Sequence, residues 1–151
     1  MKLNLLVLLI FSVMVSIKVS AQNEEAGPQV VQAYSAIYPS VAAAARASGS
    51  VVVEAEIDSS GKVTSVRTVE GIRLLGAAAE KSARRWIFNP EDIKTRTVRL
   101  TFTFKLVQDD APADELLPIF LPPYQIEVRR ALPKVVDSPN VDPPLPLKKK
   151  P

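Results

Sequence analysis

Val98, Leu100, Phe102, Phe104 and Leu106 put an apolar side chain at every second position, the tightest constraint this chain imposes on its fold. Between them stand Arg99, Thr101, Thr103 and Lys105, all polar or charged. A period of two sends the two sets to opposite faces of an extended chain, so the segment is a strand with one buried face.

A second strand precedes it. Val51, Val53, Ala55 and Ile57 are apolar and alternate with Glu54, Glu56 and Asp58, Val52 being the exception. Asp58-Ser59-Ser60-Gly61 supplies a turn in which Gly61 is free to take a positive φ. Lys62 to Val69 reads as the returning strand, with alternation irregular enough to predict a bulge. Leu75, Ala78, Ala79, Ser82 and Trp86 then recur at helical spacing, and the alanines permit close approach to a sheet. Arg84 and Arg85 suit the last turn of that helix, and Pro90 stops it from passing Asn89. A shorter helix is predicted over Ser40 to Ala47 with Ser40 as N-cap. The expected fold is α+β: two helices on one face of a three-stranded antiparallel sheet.

The 151 residues leave room for one domain and its tails. Lys2, an uncharged apolar run of 13 residues from Leu5 to Ile17, and Val19-Ser20-Ala21 read as an export signal cut after Ala21. The alternative is a retained anchor, although a helix needs roughly 20 residues to span a bilayer. With no cysteine, neither a disulfide framework nor a lipid-bearing cysteine is expected. Removing Lys2 and Lys18 with the signal leaves 17 basic against 16 acidic residues, too balanced for nucleic acid. The organisation expected is a signal over 1–21, a polar leader over 22–36, the domain over 37–106 and an extended tail over 107–151. That tail holds ten of the thirteen prolines. Within it Tyr124 to Arg129 alternates like a strand and is expected to pair with an edge of its own sheet. An unpaired tail, or pairing with another copy, are the alternatives. Lys148-Lys149-Lys150 reads as a solvated terminus.

The chemistry available is narrow. Without histidine or cysteine the chain can build neither a Ser-His-Asp nor a Cys-His arrangement, nor the usual nitrogen and sulfur set for zinc. There is no glycine-rich phosphate loop. Glu54, Glu56 and Asp58 fit a solvated strand face, and Asp58 to Gly61 lacks the further acids of a calcium loop. No enzyme activity, cofactor, metal or small-molecule substrate is expected.

Binding is the remaining chemistry. An outer strand leaves backbone groups unpaired, and an extended peptide can add there. Thr97 to Leu106 is the candidate edge because it is long and regular. Tyr38-Pro39 at the opening of the compact region, Gly49 before the first long strand, and Asp58 with Gly61 at the hairpin occur in one order with Arg85-Trp86-x-Phe88-x-Pro90. Over residues 38–106 that order resembles the C-terminal domain of the TonB family. The resemblance implies a module that pairs a strand with the N-terminal segment of an outer-membrane receptor. Val98, Arg99, Leu100, Thr101, Phe102, Thr103 and Phe104 would be the pairing strand, with Tyr38 and Pro39 touching the receptor's plug. On their own pattern, Trp86 and Phe88 read as core packing.

Full-length members carry an N-terminal membrane helix and a proline-rich spacer before the domain. Here the apolar run is short and the leader has 15 residues, reaching at most about 50 Å; the proline-rich part follows the domain. The expectation is a periplasmic binding module for an outer-membrane receptor or other envelope protein. The alternatives are an energy transducer anchored on the periplasmic side of the inner membrane, or a structural envelope domain that forms a homodimer.

Overall fold

The computed structural model describes residues 27–134. The signal segment, residues 22–26 of the leader and the end of the tail over 135–151, with its lysines, lie outside the described residues. Among the described residues, no helix is long and apolar enough to cross a membrane.

The chain opens with β1 (Val30–Gln32) and a short helix α1 (Ser40–Ala44). The hairpin β2 (Gly49–Ile57) and β3 (Val63–Gly71) leads to the long helix α2 (Arg73–Ala83). Then come β4 (Ile87–Phe88), the long strand β5 (Thr97–Val107), β6 (Ile119–Leu121) and β7 (Gln125–Ala131). The main sheet has the order β3-β2-β5-β7-β6, and β1 pairs with β4 in a separate two-stranded sheet.

The expectation of three antiparallel strands is corrected here. The sheet has five strands and is mixed, because β7 lies parallel to β5 whereas β2, β3 and β6 pair antiparallel with their neighbours. Both extra strands come from the proline-rich region. Prolines bound β6 on each side, yet none falls inside β7, so its backbone donors are complete.

The alternating pattern sorts the sheet into two faces. Val51, Val53, Ala55, Ile57, Val98, Leu100, Phe102 and Phe104 are buried under the helices, joined by Ile126 and Val128 of β7. Leu75, Ala79 and Ala83 cover them from α2, and Ala42 and Ala43 from α1. At about 1.5–3 kcal/mol for each large apolar side chain buried, this face is the main source of stability.

Three local expectations shift. The N-cap of α1 is Pro39, without a side-chain bond, and the helix stops at Ala44. The long helix ends at Ala83, well before Pro90, with Arg84 as its C-cap. Extended pairing ends it: Phe88 N–H donates to the Gly61 carbonyl at 2.9 Å and Asn89 N–H to that of Gln29 at 2.8 Å. Trp86 therefore reaches the core from the turn after the helix. Its indole Nε1 donates to the Tyr34 carbonyl at 2.9 Å, and its ring meets Phe88, Phe102 and Phe120. Pro90 opens a single 3-10 turn, Pro90–Asp92, capped by Asn89.

Candidate partner-binding edge

Gly49 begins β2, and the turn from Asp58 to Gly61 sets the register of the β2–β3 hairpin. The Asp58 Oδ1 accepts from Ser60 N–H, Ser60 Oγ and Lys62 N–H at 2.8, 2.7 and 3.1 Å. These bonds, that from the Ser60 hydroxyl first, hold the carboxyl below its ordinary pKa. Gly61 has φ 83° and packs against the Phe88 backbone; a Cβ there would lie 2.0 Å from the Phe88 carbonyl oxygen. Neither the dihedral nor the space admits another residue.

β3 is one outer edge, and its backbone is irregular. Its pairing with β2 slips twice, between Val52 and Val53 and again between Glu56 and Ile57. At the first slip, Thr68 donates its N–H and its Oγ1 to Glu80 Oε1 of α2, at 2.8 and 2.9 Å. Bulges and a side chain taking a backbone donor make this edge a poor template for strand addition.

On its other side β5 is not the open edge that its regularity suggested. β7 pairs with it in register from Thr101↔Gln125 to Val107↔Ala131. Thr101 N–H donates to the Tyr124 carbonyl and Leu132 N–H to the Val107 carbonyl, closing the two ends of the ladder. Tyr124 to Arg129, expected to pair with its own sheet, thus lies against β5. The alternation of backbone groups sends those of Thr97 and Arg99 to the same side as Thr101. β7 starts too late to meet them. They border a groove of about 370 Å³ lined also by Thr95, Val98, Pro123 and Tyr124.

The strand Val98 to Phe104 therefore splits. The side chains of Val98, Leu100, Phe102 and Phe104 are buried in the core, whereas Arg99 is exposed and Thr101 and Thr103 half-buried on the open face. Among the described residues, its outer backbone edge is unpaired as far as Arg99 and covered from Thr101 onward. Tyr38 is also internal: its ring stands edge-on to Phe104 at 5.3 Å and its hydroxyl donates to the Ala47 carbonyl at 2.6 Å. Burial raises its pKa. Pro39 is half-buried, and the large apolar side chains that reach solvent beside it are Ile37 and Val41, 81% and 63% exposed. Neither was singled out from the sequence, since each stands among other apolar residues with no alternation to mark which side chain faces out.

One charged cluster lies on the covered part. Glu127 of β7 is buried, with Lys105 Nζ at 2.6 Å and Arg129 Nε at 2.5 Å. The hydrogen bond from Lys105, more than any other cause, holds its pKa below the usual carboxylate range. On the same face of the sheet Glu54 is paired with Arg67 and Arg99. No group of acids able to hold a metal is found among the described residues.

Residues 34–106 match the family of Gram-negative bacterial TonB protein C-terminal domains. This segment is a TonB C-terminal domain. The family is one of non-enzymatic energy-transduction and binding domains that interact with outer-membrane receptors in the cell envelope. No curated protein matches the chain. The TonB C-terminal domain ends with β5, so β6 and β7 both fall beyond the matched residues.

Proposed function

We propose that this chain is an exported, non-enzymatic envelope module that binds an extended segment of an outer-membrane or other envelope protein by strand addition along β5. The backbone groups of Thr97 and Arg99, unpaired among the described residues, carry the reading. They belong to the last strand of the TonB C-terminal domain, they face a groove, and the opposite edge of the sheet is bulged. An incoming segment would gain main-chain bonds there and be read by alternate side chains.

A photo-crosslinking residue placed at Thr97 in the producing cells tests the proposal, with Arg67 on β3 as control. The expected result is a crosslink from position 97 to a periplasmic extended segment of an envelope protein, and none from position 67. Crosslinks from position 67 alone, or from position 97 only to this chain, would overturn it. A second reading, self-association, rests on β6, where Ile119, Phe120 and Leu121 are all exposed on an uncharged outer edge. Sedimentation equilibrium tests it: a dimer that Phe120→Lys dissociates supports it, and a monomer at high concentration removes it.

A further inference from the structure

We infer that β7 is an internal stand-in for the ligand, and that β5 accepts in its place a parallel segment with an aliphatic-acidic-aliphatic centre. This rests on the proposed function and specifies the partner's chemistry.

Among the described residues β7 alone pairs parallel in the main sheet, and it comes from outside the residues that match the domain family. Its side chains show what the site selects. Ile126 and Val128 stand opposite Phe102 and Phe104 on the core face, both buried. Glu127 stands opposite Thr103 with Lys105 beside it. A slip of one residue would push the carboxylate into the core, so the order of these three residues fixes the register.

β7 is also held in a way that lets a rival displace it. Two of its attachments are single side-chain bonds to carbonyls at its ends, Tyr124 hydroxyl to Pro28 at 2.9 Å and Arg130 guanidinium to Tyr38 at 2.8 Å. Pro122-Pro123 turns the chain away before Thr97 and Arg99 can be paired. A separate segment has no such turn. It can begin on the groups of Thr97 and Arg99 that β7 leaves unpaired, continue along Thr101, Thr103 and Lys105, and make bonds β7 cannot.

The test uses the full chain and a labelled peptide with the sequence of Tyr124 to Ala131 preceded by Val-Thr-Val-Thr. Those four residues continue the alternation along Thr97 and Arg99. Saturable binding is expected by fluorescence anisotropy, with faster hydrogen exchange at Gln125 to Ala131 of the protein as β7 is expelled. Replacing the peptide's glutamate by lysine should weaken binding tenfold or more. The double variant Tyr124→Phe/Arg130→Ala, which frees both ends of β7, should tighten it about tenfold. A disulfide between Thr101→Cys and Gln125→Cys should abolish binding when oxidised and restore it when reduced.

No binding even to the double variant would overturn the inference. So would binding that leaves β7 protected or ignores the disulfide. If exchange fails while position 97 still crosslinks an envelope protein, strand addition stands without displacement. If exchange succeeds and position 97 meets only its own chain, displacement stands and the envelope partner falls.

Discussion

The two long flanks of the β2–β5 pair are closed in different ways. On the β3 flank the closure is built into the backbone: two slips in register and a carboxylate of α2 that takes the free Thr68 donor. On the β5 flank the closure is an added strand, lying parallel, pinned at its ends and too short to cover Thr97 and Arg99. A bulged edge cannot be made regular without refolding the strand, whereas an added strand can leave and expose a regular one. Apart from the three-residue outer edge of β6, the pairing capacity that can be regained among the described residues therefore lies along β5.

Truncating Phe104 has the largest expected effect, because it lies under Tyr38 and between β2 and β7. Phe104→Ala should cost about 3–5 kcal/mol in urea unfolding; a loss under about 1 kcal/mol would deny β5 its central place. Val128→Ala should cost roughly 2 kcal/mol and Val66→Ala, half-buried on β3, less than about 1 kcal/mol. Equal costs would erase the asymmetry in how the flanks are packed. Glu80→Ala should cost about 1–2 kcal/mol and loosen Thr68 without touching β7. Faster exchange at β7 in that variant would show that the flanks are coupled.

The smallest effect is the response to acid. The Glu127 pKa is lowered in the fold, chiefly by Lys105. Its contribution is complete above the ordinary glutamate value near 4.3 and is lost as pH falls through the lower folded value. Asp58, lowered mainly by Ser60, acts with the same sign at the β2–β3 turn. Lys105→Met should therefore flatten only part of the fall in Tm between pH 5 and pH 2. An unchanged slope would mean that the Lys105–Glu127 pair does not stabilise β7.

How much of this was legible depends on pattern length. β2, β5 and the stripe of α2 run long enough for their periods to be read, and β3 announced its bulges by failing to alternate. Tyr124 to Arg129 carried its own alternation, so a strand and its self-pairing could be expected; its parallel direction could not, since period two is blind to polarity. β1, β4 and β6 span two or three residues each, too few for any period. Tyr38 and Pro39 matched the family pattern, yet Tyr38 is held inside by Phe104 and Arg130, far along the chain. The regular period of β5 marked a strand with pairing capacity, but not which part of its outer side β7 covers, because the covering strand arrives from the proline-rich region.

Alternate amides of β5 report its two neighbours separately, which makes residue-resolved hydrogen exchange of the full chain the most direct test. Phe102 and Phe104 direct their N–H groups to β2, and Thr103 and Lys105 direct theirs to β7. If β7 opens on its own, Thr103 and Lys105 will exchange markedly faster than Phe102 and Phe104, in step with Gln125 to Ala131. Equal protection at all four would mean that β7 leaves only when the whole domain unfolds, and that β5 is closed to a partner beyond Arg99.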